Sequence, residues 1–233
     1  MKHYAYNSPF KMKDKEGVEY TLEVINDNNP ESPRDWDNLC TMVCWHRSYD
    51  LGDRHNYDGI EDFFQTLCYE VLGKKYGETD ELKWTNMLKM LEESNLICIK
   101  QLNLYDHSGI TISTSNTYPY NDRWDAMPVG FVYVIKEKIF QECMGITEEN
   151  WKEQADKYCD GETETYDKYL TGDVYGYTLT KTIVGQEICP HCGEVIRKYE
   201  VEEEVDSCWG FYGDCIEDNG IIDNLGNLEF VEE

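Results

Sequence analysis

This 233-residue chain is short of positive charge. Lysine and arginine together number 21 against 47 aspartates and glutamates, a formal net charge of −26. So acidic a chain repels nucleic-acid phosphates and anionic membrane surfaces, which argues against direct binding to either. Long apolar runs are also lacking. No stretch approaches the ~18 residues of a membrane span, and the first residues do not show the basic, apolar and small-residue order of a secretory leader. The expected location is therefore the cytoplasm, with no membrane partner. No Walker loop, Gly-rich dinucleotide fingerprint or Ser/Cys elbow is present, which removes the commonest nucleotide-binding and hydrolase signatures. No internal repeat of useful period is found.

Hydrophobic residues make up 40% and aromatics 13%, with 18 tyrosines, enough for a packed core. Tyrosine offers rigid contact area with a polar tip, useful both inside and at an interface. The acid is uneven. Residues 1–146 carry 24 acids and 15 bases, and residues 147–233 carry 23 acids and 6 bases. That shift divides the expectation into an N-terminal α+β domain, 1–146, and a strongly acidic helix with a small Cys-containing β subdomain, 147–233.

Pro9–Ile25 reads as a hairpin turning at Gly17. Asn26–Asn38 is turn chemistry, with Pro30 and Pro33 opposing a helix. Cys40–His46 is a short strand. Apolar spacing predicts helices over Ile60–Gly77 and Thr79–Ser94, the second with acids in its first turn. Leu96–Asp106 and Gly109–Ser115 form a second hairpin, and Val129–Lys136 is the most apolar strand, running on into a short helix that ends at Gly145. Hairpins outnumber strand–helix–strand units. The fold class is therefore α+β: a mixed hairpin-rich sheet with helices on one side, plus the C-terminal β-rich subdomain.

Thr147 is a good cap for the acidic helix that follows. Its apolar stripe is expected to run through Trp151, Ala155, Tyr158, Tyr166 and Tyr169, with Gly161 bending or dividing the helix. From Thr147 to Leu170 the acids are Glu148, Glu149, Glu153, Asp156, Asp160, Glu162, Glu164 and Asp167, opposed by Lys152, Lys157 and Lys168. Over ~36 Å of helix that is one carboxylate every ~4.5 Å, less than half the density of B-DNA, which has one phosphate per ~1.7 Å of axis. A second acidic line would close the gap. In Glu200–Asp206, strand alternation puts Glu200, Glu202, Glu204 and Asp206 on one face and Val201, Glu203 and Val205 on the other. Two readings stand. The acids are a solvated surface, or they form a patch that enters a basic cleft, gaining affinity as DNA does, with Tyr158, Tyr166, Tyr169, Tyr175 and Tyr177 as anchors.

Cys189 and Cys192 bracket Pro190 and His191 and precede Gly193, a turn that aims two thiolates at one metal. With Cys208 and Cys215 the spacing is C-x2-C-x15-C-x6-C, a tight pair followed by a loose one. The expectation is a structural zinc on Cys189, Cys192, Cys208 and Cys215, set against a plain turn with reduced thiols. A zinc deaminase would need a His-x-Glu upstream, which is missing. The other six cysteines fall in apolar positions and read as core. His46, Asp50, Asp53, His55 and Asp58, with Asp106 and His107, offer acid–base or metal-binding groups. Their spacing fits no metal motif, and polar loops of this kind more often bond their own backbone.

The stretches TMVCWHRSYDLGD (Thr41–Asp53), YDHSGIT (Tyr105–Thr111) and DSCWGFYGD (Asp206–Asp214) resemble a family of uncharacterised acidic proteins from phages and mobile elements of Gram-positive bacteria. The resemblance implies genomic context and no catalytic residue. Small acidic phage proteins include antirestriction and anti-CRISPR proteins that imitate DNA. The functional expectation is thus a non-enzymatic, phage-type inhibitor that binds a basic, nucleic-acid-binding host protein. The alternatives are a metal-dependent enzyme built on His46, Asp53, His55 and Asp106, or a phage accessory protein that binds another protein.

Overall fold

Short strands and amphipathic helices follow one another along the chain in the computed structural model, which describes residues 2–73, 78–79, 81–106, 109–115 and 126–231. In order they are β1 (Phe10–Lys13), β2 (Glu19–Asn26), β3 (Thr41–Cys44), α1 (Ile60–Leu72), α2 (Trp84–Glu93), β4 (Ile97–Asp106), β5 (Ile110–Ser113), β6 (Ala126–Ile135), α3 (Lys136–Glu142), α4 (Trp151–Thr171), β7 (Val174–Ile188), β8 (Val195–Tyr212), α5 (Ile221–Leu225) and β9 (Glu229–Phe230). Helices and antiparallel sheets together make the α+β class expected. The chain divides into two units, Ser32–Thr171 and Met1–Glu31 with Gly172–Glu233. The division expected between residues 146 and 147 is therefore corrected. β2 pairs with β7 from Tyr20↔Lys181 to Asn26↔Tyr175, which ties the first hairpin to the last strands. The acidic helix α4 belongs instead with the middle of the chain.

In the Ser32–Thr171 unit the sheet order is β3-β6-β4-β5, antiparallel throughout. β6 reads as an unbroken apolar run because both its faces are covered. Val132 and Val134 pack with Leu102, Leu104 and the α4 residues Trp151, Ala155 and Cys159. Phe131 and Tyr133 face the other way, against Phe63, Phe64 and Leu67 of α1 and Met87 and Leu91 of α2. Helices thus cover both faces, where one side was expected. A strand apolar at every position needs cover on both.

α1 stops at Gly73, whose φ of +63° suits glycine and whose N–H returns to the Tyr69 carbonyl. Gly77, the expected stop, lies outside the described residues. α2 starts at Trp84 behind Lys83 and carries no acid in its first turn, since Glu81 precedes it. Pro33 opens a short 3-10 turn, Pro33–Asp35, where it was expected to oppose a helix; at a first helical position its missing N–H costs nothing. α3 ends at Glu142, short of Gly145.

Ahead of α4, Thr147 and Asn150 cap reciprocally. The Thr147 N–H donates to Asn150 Oδ1 at 2.7 Å and the Asn150 N–H to Thr147 Oγ1 at 3.3 Å. The helix then runs 21 residues straight through Gly161. Its buried stripe is Trp151, Ala155, Cys159, Thr163 and Tyr166, while Tyr158, 41% exposed, lies off it. Burying a large apolar side chain of this kind contributes ~1.5–3 kcal/mol, more than the ~1 kcal/mol cost of glycine in a helix. That is why Gly161 does not break it.

The other unit holds the sheet β8-β7-β2-β1-β9. Its core is Phe10, Met12, Leu22, Val24, Tyr177, Leu179 and Phe211, joined by Ile216, Ile221 and Leu225. The first hairpin turns at Gly17 as expected, with Phe10↔Leu22 and Lys13↔Glu19 in register.

Candidate functional site: an acidic two-stranded ribbon

β7 and β8 pair from Val174↔Tyr212 to Ile188↔Val195, but β2 accompanies β7 only as far as Lys181. Beyond that point the two strands run on as a ribbon of their own, with β8 at the sheet edge. Thr182–Ile188 alone spans ~24 Å at ~3.4 Å per residue. β-branched residues (Thr178, Thr180, Thr182, Ile183, Val184) favour the extended chain. Two glycines sit beneath cross-strand aromatics. The Tyr199 ring covers Gly185, where a Cβ would come within 2.5 Å of it, and Trp209 covers Gly176 at 2.1 Å. Each ring fills space that a side chain would need, and so fixes register.

Cross-strand partners share a face. Glu200↔Val184, Glu202↔Thr182 and Glu204↔Thr180 line one; Val201↔Ile183 and Glu203↔Lys181 line the other. The register then shifts between Leu179 and Thr180, leaving Val205 as the extra residue and putting Asp206 opposite Leu179. Asp206 therefore lies on the Tyr177/Leu179 face, where the Tyr177 hydroxyl donates to it at 2.6 Å. The expected four-acid row is corrected to three, Glu200, Glu202 and Glu204, with Asp206 turned away by the bulge. Successive members stand ~6.8 Å apart, about a quarter of the charge density of a B-DNA duplex. Among the described residues no ion pair reaches Glu200, Glu202, Glu203 or Glu204. All of Val195–Val205 is exposed, including Val201 and Val205.

The acids in and before α4 are used differently. Glu148 pairs with Lys136 at 2.6 Å and Glu153 with Lys157 at 2.7 Å. Asp156 and Asp160 share Lys100, at 3.2 and 2.7 Å. Glu162 takes Arg34 Nη1 at 2.9 Å and the Cys40 N–H at 3.0 Å, and Asp167 accepts from the Ile112 N–H at 2.7 Å. Burial pushes the Asp160 carboxyl up, but hydrogen bonds from Lys100 and Thr114 outweigh it and hold its pKa below the ordinary value. Glu149 and Glu164 remain exposed. Of the tyrosines, Tyr158 is exposed and Tyr169 half-buried, stacked on Tyr166 with centroids 6.1 Å apart. Tyr166 is corrected from interface anchor to core: its ring is buried and its hydroxyl accepts the Gly52 N–H at 3.0 Å.

The histidine and aspartate loops bond their own surroundings. Asp53 takes Arg34 Nε and Nη2 at 2.7 and 2.9 Å and the Met42 N–H at 2.8 Å. His55 Nε2 meets the Cys44 carbonyl at 2.9 Å. His46 Nδ1 accepts from the N–H groups of Ser48 and Tyr49, and Tyr49 donates to Asp106 at 3.3 Å. His107 lies outside the described residues. A recess of about 490 Å³ opens here, lined by Trp45, His46, Asp50, Asp53 and His55. Trp45 Nε1 and His55 Nδ1 are buried and have no hydrogen-bond partner among the described residues. Among those residues no three His, Cys, Asp or Glu side chains converge as a metal-binding group, and no helix is long and apolar enough to cross a membrane.

Cys40, Cys44, Cys68, Cys98 and Cys159 are buried and Cys143 partly so, in keeping with a core role. Cys189 and Cys192 form the ribbon's tip. Cys208 stands opposite Tyr177, twelve positions down β7 from Cys189 and so ~40 Å away. Cys215 follows β8 and donates to Glu217 at 3.5 Å. The expected four-thiol set is thus pulled apart by the ribbon's length. Sequence reasoning missed that length, as well as the bulge at Val205 and the counter-cations Arg34 and Lys100. The first had a signal in the β-branched run on both sides of the turn; the others had none. Compared with known proteins, the chain matches no family model, no curated protein and no solved structure, so the site is read from its own residues.

Proposed function

We propose that this chain is a non-catalytic, phage-type inhibitor acting in the bacterial cytoplasm. It docks the Glu200/Glu202/Glu204 face of its ribbon onto a basic surface of a nucleic-acid-binding host protein, such as a restriction or CRISPR enzyme. One contrast carries the reading. Among the described residues, Glu153, Asp156, Asp160 and Glu162 of α4 are paired with cations of their own unit, whereas Glu200, Glu202 and Glu204 of the ribbon stand in file without an ion pair. Like charges at two-residue spacing repel and cost stability, and an external cationic surface removes that cost. Charge at a strand edge also discourages edge-to-edge aggregation, but one or two residues suffice for that. At a quarter of duplex density, the ribbon competes for a basic groove as a single charged strand does, without copying a duplex. The resemblance of three stretches to acidic phage proteins supports the setting.

The test is capture from bacterial lysate on the immobilised chain. The proteins retained should be nucleic-acid-binding, should be released as salt rises, and should be displaced by added DNA or RNA. Retention that neither salt nor nucleic acid disturbs would refute the proposal.

A further inference from the structure

We propose that the ribbon's tip is half of a tetrahedral zinc site, and that a second copy of this chain supplies the other half through the same two cysteines. The proposal does not depend on the acidic face. The turn is built for metal. The Cys189 N–H bonds the Glu194 carbonyl at 2.8 Å, the Gly193 N–H returns to the Cys189 carbonyl at 2.9 Å, and Gly193 holds φ at +72°, where a side chain would be strained. This loop holds Cys189 and Cys192 at one end of the hairpin, at the C-x2-C spacing that places two sulfurs on one ion. A thiolate is the form that ligates zinc.

Among the described residues, the chain's own fold brings two sulfurs to the tip and no third ligand. Structural zinc takes four ligands, no further convergent group exists among the described residues, and Cys208 lies at the far end of the ribbon. Two surface properties point to a second copy as the source. The chain as a whole is strongly acidic, yet Glu187–Lys198 carries two acids, Glu187 and Glu194, against Arg197 and Lys198. Two tips can therefore meet without the repulsion that keeps the rest apart. An apolar collar surrounds the turn: Ile188 is 56% exposed, Val195 46% and Ile196 60%. Tip-to-tip assembly covers that collar and completes a four-thiolate site with one ion.

The test uses the full chain, stripped of metal with a chelator and kept reduced. Zinc chloride is titrated while molecular mass is followed by light scattering. The expected result is a doubling of mass that saturates at half an equivalent of zinc per chain, and cobalt in place of zinc should give the absorption of a tetrahedral four-thiolate site. Cys192→Ser should abolish both responses; Cys192 is exposed, so this variant should fold, which circular dichroism checks. Cys208→Ser should leave both unchanged. The proposal is overturned by one zinc per chain without a change in mass, by no uptake, by doubling without metal, or by dependence on Cys208.

Discussion

The Tyr177 hydroxyl donates to Asp206 at 2.6 Å, and this bond marks the point where the acidic strand changes face. Up to Glu204 the acids follow simple alternation; past the bulge at Val205, Asp206 faces the core side. Reversing Asp206 to Lys should therefore leave partner binding within about twofold of wild type. Tyr177→Phe should cost roughly 1.5–3 kcal/mol of stability, the range for a hydrogen bond to a charged group, with no loss of binding. Denaturant melts and a binding titration of the two variants check both outcomes.

Arg34 should be the most sensitive polar position. Its side chain is 4% exposed and reaches Asp53, Glu162 and the Cys40 carbonyl. Removing it strands two carboxylates, for which ~3–5 kcal/mol is the expected loss. Arg34→Ala should unfold at markedly lower urea, and Arg34→Lys should recover little, because an ammonium cannot bridge both acids with the geometry of a guanidinium.

Acid should destabilise the Ser32–Thr171 unit partly through Asp160. In the unfolded chain this carboxyl titrates near 3.8, and in the fold it titrates lower, held by Lys100 and Thr114. A depressed carboxylate stabilises the fold fully above its unfolded pKa, and that contribution disappears as pH falls through the folded value. Asp160→Asn should therefore reduce stability at pH 7 and flatten the loss of stability below about pH 4. Urea melts at pH 3 to 7 measure the slope; an unchanged slope would count against this pairing.

Gly185 should accept a side chain only by displacing Tyr199. Any Cβ there meets the far end of that exposed ring at 2.5 Å, so Gly185→Val swings the ring off the ribbon at a global cost below ~1 kcal/mol. The damage should be local. Amide exchange should quicken over Thr182–Val201 and stay unchanged in β1 and β2.

Much of the fold was legible because short-range patterns set it. The Pro9–Ile25 hairpin, the strand at Val129–Lys136 and the helix after Thr147 all follow from alternation, apolar runs and capping, which act over a few residues. Long-range partners were not legible. Nothing near Arg34 says that it will meet Glu162, so the acids of α4 read as surface when several of them are bonded internally. Strict alternation describes Glu200–Glu204, but the bulge that moves Asp206 lies in the pairing of β8 with β7, a long-range partner. Likewise the spacing of Cys208 and Cys215 suggested one metal site, but an extended hairpin converts separation in sequence directly into distance.

The central claim is that Glu200, Glu202 and Glu204 form the docking face. The most direct measurement compares the affinity of wild type with that of the triple variant Glu200→Lys, Glu202→Lys, Glu204→Lys, for the partner recovered from lysate at low salt. Placing three cations against a basic surface should weaken binding about a hundredfold or more, with folding intact by circular dichroism. An affinity unchanged by the triple reversal would contradict the account.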